Sequence, residues 1–244
     1  MPQSPITLPA MARRPASLAG MLFVLLSSSL FAAGISIGSG SSMSLGSGTV
    51  DLGCGNLAIA SGGTLSGDQG TLRLAGNWSG GSGFSPGTSH VSIVDGCATP
   101  ETSMVSGNNT FFNLSAQTND GKTLVFDAGS VQTIQNSVSL SGSNGNLLTI
   151  RSTSPGSAAD LDLAPGGTQV VDYVDVADNH ATGQPLAPGP PIAYHSIDSG
   201  NTTGWFITAT SIPALGSLGF AILLALLGFL GLRALRRRSE SASP

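Results

Sequence analysis

TLRLAGNWSGGSGFSPGTSHVSIVDG, residues 71–96, holds the pattern that decides the fold. At each end apolar residues alternate with polar or charged ones, Leu72 with Leu74 and Val91 with Ile93. Side chains two apart leave an extended chain on the same side, so each end describes a short strand with one buried face. Between them stand glycine, serine, threonine and proline, the residues of turns. Short strand, polar corner, short strand is the unit.

The unit recurs along the chain. NLAIASGG (56–63), TFFNLSA (110–116), TLVFDAG (123–129), SVSLSG (137–142), LLTIRS (147–152), DLDLAPGG (160–167) and VVDYVDVAD (170–178) carry apolar patches bounded by turn residues. No window of the middle region sustains a helical period, so it is expected to be all-β. Two architectures accommodate many short strands. In a β-sandwich, strands recur every ~8–12 residues and pair through hairpins. In a parallel β-solenoid, coils of roughly 20 or more residues stack and share one interior. Hairpin dipeptides are scarce, with Asn-Gly only at Asn144-Gly145, and aromatic residues make up 5% of the chain. Those features favour an irregular right-handed parallel β-helix, with the sandwich as the alternative.

Composition agrees. The 34 glycines run at about twice ordinary usage, and the 9% of charged residues falls well below the usual ~25%. The charges are also unevenly placed. Between residues 35 and 211 only Arg73, Lys122 and Arg151 are basic, against twelve acids, a net charge of −9. Such a surface repels nucleic acid, which excludes that class of partner.

The two ends read as export and membrane segments. Arg13 and Arg14 precede the apolar run SLAGMLFVLLSSSLF (17–31), and Ala32-Ala33-Gly34 supplies small residues for cleavage. That is the layout of a signal peptide over 1–34, with Met11 as an alternative start. Its partners would be signal peptidase and the general secretion machinery. The exported β-rich domain is then 35–206, followed by a linker over 207–211. At the other end Ala214 to Leu232 contains no charge. As a helix these residues are about 28 Å long, close to the ~30 Å hydrocarbon core of a lipid bilayer. Arg233, Arg236, Arg237 and Arg238 follow directly, as expected at the cytoplasmic end of a transmembrane helix, leaving 239–244 as a short cytoplasmic end.

Ile212-Pro213-Ala214-Leu215, an apolar helix and an arginine cluster together resemble the IPTL-CTERM sorting signal, a member of the PEP-CTERM/exosortase class of tripartite tails in Gram-negative bacteria. Ala214 stands where the family has threonine, and Leu218-Gly219 where it has Trp-Gly. The resemblance covers Ser211 to Arg238 alone. It implies that an exosortase-type membrane protease recognises Ile212 to Leu215 and releases the protein or passes it to a surface anchor; a plain single-pass anchor is the alternative. The middle, from LAGNWSGGSGFSPGTSHVSIVDG (74–96) through NNTFFNLSA to YHSIDSGNTTGWF (194–206), loosely resembles β-helical bacterial surface and adhesin-like proteins.

Cys54 and Cys97 are the two cysteines. In an exported chain they imply one disulfide, worth about 4 kcal/mol in the chain-entropy model; two unpaired buried thiols are the alternative. Without a CxxC or a Cys/His cluster, no zinc site is expected. The densest polar group is Asp172, Asp175, Asp178, His180, His195 and Asp198. It would suit calcium or a carboxylate-assisted lyase or hydrolase, yet Asp172 and Asp178 differ from Asp175 in strand parity, which sends them to opposite faces of one strand. Solvated acids at strand edges are the simpler account. QPLAPGPP (184–191) reads as a rigid exposed loop. GSGSSMSLGSG (38–48) is no phosphate loop, since no helix and no lysine follow.

These observations lead to an exported cell-envelope or extracellular structural protein, adhesin-like, with no catalytic residue, metal or cofactor and with extracellular polysaccharide as a candidate partner. A carbohydrate-active β-helix enzyme and an unprocessed inner-membrane protein are the alternatives.

Overall fold

The computed structural model describes residues 34–97, 101–207 and 224–227. They form 19 strands and two short 3-10 helices, and every strand-to-strand ladder is parallel. The first coil carries β1 (Ile35–Ile37), β2 (Ser42–Ser44) and β3 (Thr49–Asp51), the second β4 (Leu57–Ile59), β5 (Thr64–Ser66) and β6 (Thr71–Leu74). The third holds β7 (Trp78–Ser79), β8 (Phe84–Ser85) and β9 (His90–Ile93), the fourth β10 (Glu101–Ser106) and β11 (Asn109–Gln117). In the fifth are β12 (Lys122–Phe126) and β13 (Val131–Ser141), and in the sixth β14 (Leu148–Ser152), β15 (Ala159–Leu163) and β16 (Thr168–Asp172). The seventh has β17 (Val174–Val176) and β18 (Asn179–Ala181), and β19 (Ile197–Asp198) begins another. The chain is a parallel β-solenoid of about seven turns.

Three faces result. The first is a continuous sheet in the order β1-β4-β7-β10-β12-β14-β17-β19. The second starts as β2-β5-β8 and the third as β3-β6-β9. In the fourth and fifth coils one long strand serves both: β11 shifts register between Phe111 and Asn113, and β13 pairs β15 with its first half and β16 with its second. Partner positions lie 22 residues apart between Ile35 and Leu57, 19 between Thr71 and His90 and 31 between Ser137 and Thr168. The irregular spacing of the sequence patches is therefore real, and it is absorbed at the corners.

Alternation places the core. Leu57, Trp78, Val105 and Phe126 stack in register along the first face, each at most 1% exposed. Leu72, Val91, Leu114 and Val138 do the same on the third, each at most 2% exposed. Each fully buried aliphatic side chain contributes about 1.5–3 kcal/mol of hydrophobic stabilisation. Corners are closed by residues with φ above zero, such as Gly62 and Gly129. Asn144-Gly145 and Pro155-Gly156 make small turns closed by antiparallel bridges, Ser143 to Asn146 and Ser154 to Ser157, so the one Asn-Gly pair sits on a corner rather than joining core strands.

Some expectations need correction. VVDYVDVAD is two strands, β16 and β17, on different faces, because Tyr173 takes φ 52° between them. Within QPLAPGPP, Leu186 and Ala187 are buried, and Leu186 forms a parallel bridge with Trp205. That loop is anchored by the apolar pair at its centre. GSGSSMSLGSG contains β2, Ser42–Ser44, whose inward residue Met43 packs against the core.

The signal peptide over 1–34 lies outside the described residues apart from Gly34. Of the helix expected over 214–232, only residues 224–227 are described; they are helical and exposed. Among the described residues no helix is long and apolar enough to cross a membrane; the rest of the expected span lies outside the described residues. Ile212, Pro213, Ala214, Leu215, Arg233, Arg236, Arg237 and Arg238 lie outside the described residues.

Candidate functional site

The polar group singled out at the C-terminal end is spread over three coils. Asp172 closes β16 and meets His195 Nδ1 at 2.9 Å. His195 has φ 50° and its ring stacks on Tyr173, with centroids 4.6 Å apart. Asp175, on β17, accepts from Arg151 Nη2 at 2.7 Å and from Ser199 Oγ at 2.6 Å. Asp178 sits in the turn after β17 and accepts from Asn201 Nδ2 at 2.7 Å; that bond, chief among several, holds its carboxyl below the ordinary value. His180 Nε2 meets Asn201 Oδ1 at 3.2 Å, and its Nδ1 lies 3.7 Å from Asp160. Asp198 instead caps its own turn, accepting from Thr202 Oγ1 at 2.6 Å and Gly200 N at 3.0 Å.

Most of these bonds join one coil to the next. They act as brackets, not as a converging centre. Among the described residues no three His, Cys, Asp or Glu side chains are grouped to hold a metal ion.

A second cluster lies at the corner between the third and first faces. Cys54 and Cys97 form a disulfide, with Cα atoms 5.4 Å apart. The corner between theirs turns at Gly76, where a Cβ would lie 2.5 Å from the Gly55 carbonyl. Glu101 Oε1 accepts the N–H groups of Gly96 and Cys97, which pins the disulfide loop. Its other oxygen accepts from Lys122 Nζ at 2.9 Å. Glu101 and Lys122 are register partners on the inward side of the first face, 4% and 0% exposed. Lys122 also donates to the Ala75 carbonyl at 3.1 Å. Burial pushes the Glu101 carboxyl up, but Lys122 and the two backbone N–H groups outweigh it and hold the pKa below the ordinary value.

The third feature is a groove on the second face. Every other stacked strand there is laddered to its neighbour, but β8 pairs only with β5, and the first half of β11 pairs only with β13. The two edges face each other without a backbone ladder. The opening between them is lined by Ser82, Ser85, Asn108, Thr110 and Thr133, with Pro86 and Val131 among its apolar members. Beneath it Trp78, Phe84 and Phe111 pack edge to face or tilted, with centroids 4.9 to 6.1 Å apart. Asn109 closes the floor: its Oδ1 accepts from Trp78 Nε1 at 2.8 Å and from Gly81 N at 2.7 Å, and its Nδ2 donates to Gln132 Oε1 at 2.8 Å.

Nothing in the residue types of GGSGFSPG or GNNTF marks this groove in advance, because serine, threonine and asparagine also make ordinary corners. The Glu101–Lys122 pair carried a clearer signal, two opposite charges 21 residues apart in a chain whose coils advance by about that much.

The fold defines the chain as a parallel β-solenoid protein. Comparison with protein-family models, curated proteins and solved structures finds no match.

Proposed function

We propose that the chain is an exported envelope or extracellular structural protein, adhesin-like and non-catalytic, whose solenoid winds right-handed as parallel crossovers prefer. The observation that carries this is the order of segments in one sequence. A signal-like run over 1–34 precedes the solenoid, and Ile212-Pro213-Ala214-Leu215, the uncharged stretch Ala214 to Leu232 and the cluster from Arg233 to Arg238 follow it. Signal peptidase and the secretion machinery deliver the middle. The apolar tail rests in the lipid bilayer until an exosortase-type protease acts at Ile212 to Leu215. The solenoid then works outside, against polysaccharide or another cell surface.

A solenoid suits that work because each coil adds surface without needing a new core. Its acid-rich surface leaves nucleic acid out of account.

The test is the mass and cellular fraction of the protein from its native host. A mature form starting near Ile35, ending before the apolar stretch and found beyond the inner membrane is the expected result. An intact chain through Pro244 in the inner-membrane fraction overturns the sorting step and leaves a single-pass anchor.

A further inference from the structure

We infer that the groove between β8 and β11 is a binding site for a neutral, extended glycan chain. This names the partner class of the surface function proposed above and rests on that reading for its biological setting, but not for its chemistry.

The groove exists because the ladder is interrupted at one place. Going from the second to the third coil, the second face advances by only 19 residues, from Leu65 to Phe84, and β8 is two residues long. The fourth and fifth coils instead carry the long strands β11 and β13, which bond to each other and leave β8 behind. On the near bank Ser85 lines the opening; Ser44 and Ser66, in register behind it, lie outside the groove and donate to Asp68. Thr110 and Thr133 form a row on the far bank. Asn108 is exposed at the rim and held by its Oδ1, which accepts the Val131 N–H at 2.8 Å.

The chemistry of the lining selects the ligand. None of its ten residues is charged, so it offers neither the cations that an anionic polymer needs nor the carboxylates that a cationic one needs. One coil further on, Asp160 stands in register with Val131 and Asp162 with Thr133. The exported region as a whole carries −9. Both facts repel an anionic chain. Hydroxyls and an amide that donate and accept match sugar hydroxyls, which do the same. Pro86 and Val131 give apolar patches for the C–H faces of the rings. A chain lying along two strand edges must itself be extended, as β-linked glycans are.

An added peptide strand fits less well. Pro86 follows β8 directly and has no N–H to give. The Gly81 N–H is already taken by Asn109 at 2.7 Å. Too little open backbone remains on the near bank for β-augmentation.

The experiment titrates the full-length protein, in a detergent without a sugar headgroup, with cellohexaose, laminarihexaose and chitohexaose. Hexagalacturonate and an alternating Ser-Thr peptide serve as the anionic and strand-forming probes. At least one neutral hexamer is expected to bind. The double variant Thr110→Val/Thr133→Val, which keeps shape and β-branching, should weaken binding about tenfold with an unchanged melting temperature. Thr149→Val on the first face should leave it unchanged. If the double variant does not fold, Ser82→Trp, at an exposed position, must abolish binding by filling the groove. Failure of all three neutral hexamers to bind overturns the inference, as does binding confined to hexagalacturonate or to the peptide, or binding insensitive to these variants. The result is independent of where the protein resides, so a wrong sorting proposal and a wrong groove assignment are told apart.

Discussion

Lys122 has no water to fall back on. Its ammonium is fully buried and satisfied only by Glu101 and the Ala75 carbonyl. Removing one partner of such a pair leaves a buried charge, which costs about 3–5 kcal/mol. Lys122→Met should therefore lower stability by that order in urea unfolding. The pair also sets an acid limit. Because the folded Glu101 pKa lies below its ordinary 4.5, its contribution is complete above pH 4.5 and is lost as pH falls through the folded value. Melting temperature should drop over that range in the wild type, and the drop should be shallower in Lys122→Met. His90 acts higher on the scale. It is half-buried, with Nε2 2.8 Å from Ser115 Oγ, and burial pushes its pKa below 6.5. The unfolded chain then takes the proton first, so stability is full above pH 6.5 and declines below it. His90→Gln should flatten the melting-temperature profile between pH 7 and 5. A slope that survives the substitution assigns the effect to other groups.

At the scale of elements, the disulfide and the corner it spans matter most. Cys54 follows β3 and Cys97 follows β9, so the bond reaches over the intervening corner at Gly76 rather than joining adjacent corners. It closes a separation of 43 residues, which the chain-entropy model values at about 4 kcal/mol. The double variant Cys54→Ser/Cys97→Ser should lose stability of that order. Reduction of the wild type by dithiothreitol should match it, and a loss near zero would mean that Glu101 and Lys122 hold the loop unaided. On the coil that β19 begins, Gly204 lies so close to the seventh coil that a Cβ there would be 2.1 Å from the Ala181 carbonyl. Only glycine lets Trp205 reach inward, where its Nε1 donates to Asn179 Oδ1 at 3.1 Å.

For the whole molecule, stacking makes stability a matter of neighbours. Leu124 is completely buried on β12, in register with Ser103 before it and Ile150 after it. Leu124→Ala should cost about 2–5 kcal/mol. In a quasi-one-dimensional array that cost is felt by adjacent coils first. Amide exchange should accelerate in β10, β12 and β14 while β1 and β4 keep their protection. Uniform acceleration from end to end would show that the solenoid opens as a single unit.

What the sequence determined by itself was local. Alternation at Leu72/Leu74, Val91/Ile93, Val138/Leu140 and Leu161/Leu163 marked strands and their buried faces, since a period of two is a property of the extended chain alone. Glycine and asparagine marked corners, and the shortness of the patches, the single Asn-Gly pair and the few aromatics favoured a parallel stack over a sandwich. The strand Glu101–Ser106 escaped that logic because two of its three inward side chains, Glu101 and Ser103, have no apolar signature, and Ser42–Ser44 is too short, with Met43 its one inward residue, to show a period. Tertiary structure alone decided register, and with it everything that depends on a neighbour one coil away. Whether Asp172 meets His195, whether Lys122 lies under Glu101 and whether β8 is laddered to β11 follow from corner lengths that vary from coil to coil. A difference of a few residues at one corner, invisible as pattern, opens a groove between two strands.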